Sequence, residues 1–161
     1  RHDGSWTHMD KAFKRAEGLL ENWMKLHHDK DCYPPTIINI TDGEYNGASH
    51  DEMQQLANQL KSMFTNDGNV LLFNIHVVPG HTESVVFPAS LGELNHNGYG
   101  EKLYNMASLL PLNYNEQMRA IFGDKQADIR YHAMGVNTGM ERLVKMMKIG
   151  TLSSMFVNNN Q

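Results

Sequence analysis

Residues 70 to 78, Val70-Leu71-Leu72-Phe73-Asn74-Ile75-His76-Val77-Val78, are apolar on both alternating faces except at Asn74 and His76. A strand of this kind must be covered from both sides, which restricts the chain to folds that layer helices over a sheet. The preceding residues have the periods such a fold needs. From Thr7 to about Leu26, Met9, Ala12, Phe13, Ala16, Leu19, Leu20 and Trp23 fall on one helical face, predicting a long amphipathic helix. It ends in the polar stretch His27 to Asp31, and Tyr33-Pro34-Pro35 then forces extended backbone into a short buried strand, Thr36 to Thr41. A loop with two glycines follows, and Ser49, three residues ahead of Glu52, predicts a capping box opening a second helix. Met53, Leu56, Ala57, Leu60, Met63 and Phe64 form its apolar stripe, and Asn66-Asp67-Gly68 stops it.

Strand, helix and strand in this order make a parallel crossover unit, so the expected fold is α/β: three-layer, doubly wound, with a mainly parallel, Rossmann-like sheet. Loops that follow the strand C-termini then gather on one edge, where ligand sites of open α/β sheets form. The second half of the chain is less regular. Pro79 to Gly100 is rich in glycine and asparagine, and Leu103 to Leu110 reads as a short helix stopped by Pro111. Asn115 to Phe122 reads as another, stopped by Gly123, and both read as peripheral. Ile129 to Met134 is expected as a last short strand. Thr138 with Glu141 reads as a second capping box, opening a helix that carries Leu143, Val144, Met147 and Ile149 to Gly150.

The 161 residues are 40% hydrophobic, enough for one core, and no repeat or linker divides them. A formal charge of −4 leaves no field that would draw in a polyanion, which argues against nucleic-acid binding. Cys32 is the single cysteine, so there is no internal disulfide and no multi-cysteine zinc site. No apolar run approaches the ~18 residues of a membrane span, and the N-terminal residues do not read as a signal peptide. With Cys32 reduced, these features point to a cytoplasmic setting. Residues 158–161, Asn158-Asn159-Asn160-Gln161, read as a frayed tail.

Thr41-Asp42-Gly43 ends the first buried strand, and Gly4-Ser5-Trp6-Thr7 lies just before the helix that leads into it, so two oxygen donors could meet there. This pairing, within Pro35-Thr36-Ile37-Ile38-Asn39-Ile40-Thr41-Asp42-Gly43-Glu44, resembles the von Willebrand factor type A (vWA) domain. Asn69 to His76, Phe87-Pro88 and the closing Ile149-Gly150-Thr151 extend the resemblance, to a bacterial branch of the family, over Gly4 to Thr151. The resemblance implies a metal-ion-dependent adhesion site. Thr7 and Asp42 would be its metal ligands, with Ser5, Gly43, Glu44 and His76 behind them or against the partner. The cation would be Mg2+, or else Mn2+ or Ca2+. The protein partner would present an acidic residue that replaces a metal-bound water.

The family's first motif, an aspartate followed by two serines at alternate positions, has no counterpart before Thr7. Residues 1–161 are therefore expected to be the C-terminal portion of a single vWA-like domain whose N-terminal strands are missing. The edge of Thr36 to Thr41 would be left unpaired, and the missing segment or a second chain would complete the sheet. A dimer joining two such edges is the other arrangement.

Each site residue also has a plainer reading. Asp42 can start a turn with Gly43, and Ser5 or Thr7 can cap a helix without any metal. Trp6 and Tyr45 flank the two loops as partner-facing aromatics or as packing groups. His76 can be a metal-proximal donor or a buried histidine bonded to Asn74 or to backbone. The adjacent His27 and His28 diverge at a helix end and suit the dipole there rather than a metal. The methionines fall on helical stripes and read as core filling. Cys32 has no neighbouring cation to activate it. There is no P-loop, GxGxxG, HExxH or GxSxG. The alternatives to an interaction module are a metal-dependent hydrolase using Asp42, Glu44 and His76, and a structural domain with a degenerate metal site.

Overall fold

In chain order the described elements are α1 (Met9–His27), β1 (Thr36–Thr41), α2 (His50–Ser62), β2 (Phe64–Thr65), β3 (Gly68–Asn69) and β4 (Leu71–His76). These are followed by β5 (Val85–Val86), α3 (Gly98–Met106), α4 (Asn115–Phe122), β6 (Met134–Val136) and α5 (Met140–Gly150). The structure is a computed structural model and describes residues 8–27, 30–42, 45–80, 83–94 and 98–151. Four strands form one sheet in the order β1-β4-β6-β5, with β1, β4 and β6 parallel and the short β5 antiparallel to β6. The result is a mixed α/β fold, a mostly parallel sheet flanked by helices, compatible with a Rossmann-like arrangement.

All six residues of β4 are buried, as its sequence requires. Its alternate side chains enter two different apolar clusters. Leu72 joins Met9, Phe13, Met53, Leu60 and Leu103 from α1, α2 and α3. Leu71, Phe73 and Ile75 join Met118, Met146 and Ile149 from α4 and α5. Asn74 is fully buried and satisfied: its Nδ2 donates to the Leu103 carbonyl at 2.8 Å, and its Oδ1 accepts from Asn39 Nδ2 at 2.9 Å. The polar residue thus ties β1, β4 and α3 together.

The Ser49–Glu52 capping box forms as expected, with Glu52 N–H donating to Ser49 Oγ at 3.2 Å and Ser49 N–H to Glu52 Oε2 at 2.7 Å. Thr138 makes no such cap. The N-cap of α5 is Gly139, one residue later, and Thr138 Oγ1 is buried without a hydrogen bond. Gly135 leaves room there, since a Cβ on it would lie 2.7 Å from Thr138 Cγ2 and 2.9 Å from Met146 Sδ.

Other expectations move by a few residues. The last strand is Met134–Val136 rather than Ile129 to Met134, and the helix before Pro111 is Gly98–Met106 rather than Leu103 to Leu110. Neither α3 nor α4 is peripheral, because Leu103, Met106 and Met118 are fully buried. Asn66-Asp67-Gly68 does not stop α2, which ends at Ser62 with Met63 as its C-cap; exposed Phe64 belongs to a strand instead, and Phe64–Thr65 and Gly68–Asn69 pair across the turn as a small hairpin. The strand Val85–Val86 has no clear period in the sequence.

β6 pairs with β4 only at Asn74 to His76. Below that point Ser108 takes the place of a strand. Leu72 N–H donates to Ser108 Oγ at 2.8 Å, Ser108 N–H donates to the Leu72 carbonyl at 2.9 Å, and Ala133 N–H donates to the Ser108 carbonyl at 2.7 Å. Removing that hydroxyl strands a buried N–H, so Ser108→Ala should destabilise the fold by about 1–3 kcal/mol. The exposed Ser62→Ala should cost well under half of that in the same urea titration. Equal midpoints for the two variants would refute this account of the gap.

Candidate functional site

Because β1, β4 and β6 are parallel, Thr41, His76 and Val136 end at one edge of the sheet, and the loops after them are neighbours. Those loops are stitched by backbone and side-chain bonds. Val77 N–H donates to the Thr41 carbonyl at 2.8 Å, Asn137 N–H to the His76 carbonyl at 2.9 Å, and Val78 N–H to Asn137 Oδ1 at 2.7 Å. Asn137 holds a left-handed turn, φ 46°, that asparagine tolerates better than most residues.

Asp42 lies directly after β1 and is exposed. Its carbonyl accepts a hydrogen bond at 2.9 Å from His76 Nε2, so His76 is the Nε2–H tautomer. His76 itself is only 1% exposed, and its Nδ1 is buried without a partner. Burial pushes the His76 pKa below its ordinary value, outweighing the opposing pull of the Asp42 carbonyl and charge. The imidazole is therefore neutral near pH 7, and its work is to hold the Asp42 backbone in place. Of the two expectations for His76, the backbone-bonded one describes its contacts, although the partner is Asp42 and not Asn74.

The start of α1 reaches the same edge. Asn39 Nδ2 contacts Met9 Sδ at 3.8 Å. A Cβ on Gly47, which lies in the loop after Asp42 and has φ +92°, would come within 2.8 Å of His8 Nδ1 and 3.4 Å of Asp10 Oδ1. The loop after β1 therefore packs on the first turn of α1. Thr7, Ser5, Gly43 and Glu44 lie outside the described residues, as do Trp6, His28 and the tail 158–161. Their neighbours His8, Asp10, Asp42 and Tyr45 are described.

Asp10 was not singled out by sequence. Its carboxylate is buried, with Oδ1 unbonded and 3.9 Å from His8 Nδ1. An acid in the first turn of a helix reads as a favourable dipole partner, so only the packing of Gly47 against it marks this one out. Tyr45 is a half-buried packing group, with its hydroxyl 3.1 Å from His50 Nδ1 and Lys102 Nζ 6.0 Å from its ring. His27 stacks on Trp23 at 4.3 Å, and its Nδ1 lies 2.7 Å from the Trp23 carbonyl.

Among the described residues no three His, Cys, Asp or Glu side chains come together as a metal group. The described carboxylates at this edge are those of exposed Asp42 and buried Asp10. No helix among the described residues is long and apolar enough to cross a membrane. A cleft of about 610 Å³ between β5, α4 and α5 is lined by Lys125, Arg142 and Lys145, each of which already has a protein hydrogen-bond partner. Lys125 donates to the Val86 carbonyl at 2.8 Å, Arg142 to Ser84 at 3.1 Å, and Lys145 pairs with Glu141 at 2.7 Å.

His132, stacked on Tyr104 at 3.8 Å, also has its pKa lowered by burial and, after that, by Lys61. For both histidines the unfolded state binds a proton more readily than the folded state. Their contribution to stability is therefore complete above about pH 6.5 and is lost as pH falls. The urea midpoint should be flat from pH 8 to 7 and drop between about pH 6.5 and 5, and His76→Gln should shallow that drop. An unchanged slope in His76→Gln would show that this imidazole is not held neutral. No protein-family model matches the chain, and no curated protein or solved structure matches it either.

Proposed function

We propose that the chain is a vWA-like protein-interaction module, three-layered and doubly wound, with a divalent-cation site at the C-terminal edge of the sheet. Asp42 and Thr7 are the proposed ligands, and Mg2+ is the proposed ion. The observation that carries this reading is the position of Asp42. It is an exposed carboxylate at the end of a parallel strand, on the edge where ligands of open α/β sheets bind, and its loop packs on the turn that directly follows Thr7.

The supporting groups fit a binding role. His76 fixes the Asp42 backbone at 2.9 Å and so spares the loop part of the ordering cost of binding. Asp10 adds negative charge beside the same loop. Magnesium at such a carboxylate keeps several waters, one of which an acidic side chain of a partner can replace. Bound there, the cation supplies positive charge for recognition of that acid. The chain's own residues hold the loop and orient the carboxylate.

The test is a thermal scan of the full protein with and without Mg2+. At one hundred times the Kd, binding adds about 2.7 kcal/mol, or roughly 5–10 °C for a chain of this length. Asp42→Asn should abolish the shift while leaving the metal-free melting temperature close to that of the unaltered protein. A full-sized shift in Asp42→Asn, or none in the unaltered protein, would remove the proposal.

A further inference from the structure

Among the described residues no strand pairs with the outer side of β1, and both helix layers end there in apolar flanks. Leu71 N–H donates to the Pro35 carbonyl and Val77 N–H to the Thr41 carbonyl, so the odd-numbered residues of β1 turn their backbone groups toward β4. The N–H and C=O groups of Thr36, Ile38 and Ile40 therefore point outward, where no described strand pairs with them.

On one face of the sheet, α5 sits over the start of β1, with the Thr36 hydroxyl donating to the Gly150 carbonyl. Arg142 and Lys145 of α5 face the cleft shared with α4. Met140, Val144 and Met147, spaced four and three apart, lie on the opposite flank and are 75%, 45% and 44% exposed. On the other face, α2 packs between α1 and α3. Lys14 and Asp10 of α1 act on Glu52 of α2, and helical spacing puts Leu19 and Leu26 on the flank turned away from it. They are 58% and 75% exposed, and Ile40, at the edge between the two layers, is 56% exposed.

We propose that a second copy of the chain covers this side, with the two β1 strands pairing antiparallel about Ile38. The geometry is self-complementary, as a two-fold contact requires. Thr36 of each copy meets Ile40 of the other, so every outward N–H and C=O of these residues finds a partner. An axis perpendicular to the sheet also brings α5 beside α5 on one face and α1 beside α1 on the other. The six side chains are apolar, and exposed Arg15, one helical turn from Leu19, and Lys148, one turn from Val144, border them. Spread over the two layers, the six expose on the order of 600 Å² per copy, close to the ~800 Å² per partner of a stable interface.

The test is sedimentation equilibrium in EDTA, so that its outcome is independent of any metal site. The unaltered chain should weigh twice its 18.3 kDa, and Ile40→Lys or Val144→Glu should return it to monomer with unchanged circular dichroism. In a Cys32→Ser background, Ile38→Cys should give a disulfide-linked dimer on mild oxidation, because Ile38 faces its own copy at the ~5.5 Å Cα spacing of a hydrogen-bonded pair. A monomer at all concentrations overturns the proposal, and so does a dimer that survives both charge substitutions or fails to cross-link through Ile38→Cys.

Discussion

Everything in this structure is arranged around a strand that has no side in contact with water. β4 is buried at all six positions, so its odd-numbered and even-numbered side chains each need a separate apolar cover. That demand accounts for the two clusters, one built with α1, α2 and α3, the other with α4 and α5. It also accounts for the care taken with the polar groups β4 brings inside. Asn74 is bonded to Asn39 and to the Leu103 carbonyl, Leu72 to Ser108, and His76 to the Asp42 carbonyl. A buried polar group left unpaired costs more than its hydrogen bond returns, so these contacts decide which neighbours β4 accepts.

The same bonds connect packing with the candidate site. His76 belongs to the core strand by burial and to the site by its hydrogen bond, so the loop carrying Asp42 is anchored to the most protected part of the molecule. Asn137 closes the adjacent loop in the same manner, by accepting from Val78. A carboxylate presented on such a frame needs little reorganisation when something binds it. The site is thus a property of the sheet edge rather than of any one loop.

The elements readable in sequence were those fixed by local rules. The α1–β1–α2–β4 succession follows from hydrophobic period, the Pro34-Pro35 pair and the Ser49–Glu52 cap, all of which act within a few residues. What escaped was set by distant partners. Val85 and Val86 form a strand by pairing with β6, and Leu103 and Met106 are buried in the cluster that α3 shares with α1, α2 and β4, where Asn74 bonds the Leu103 carbonyl. Thr138 illustrates the limit. Its spacing to Glu141 fits a cap, but the close approach of α5 at Gly135 starts the helix one residue later. At the site, Asp42 and His76 stood out by position, whereas Asp10 became visible only when Gly47 packed against it.

Methionine supplies much of the core, with Met53, Met106, Met118, Met134 and Met146 essentially inaccessible. Met140 and Met147 on the flank of α5 are the opposite case, 75% and 44% exposed. Among the described methionines, peroxide therefore meets those two thioethers first and converts them to sulfoxides, which are polar and shun apolar contact. The interior keeps its packing while that flank of α5 becomes hydrophilic, so oxidative stress would register on the outside of this molecule before it reached the fold.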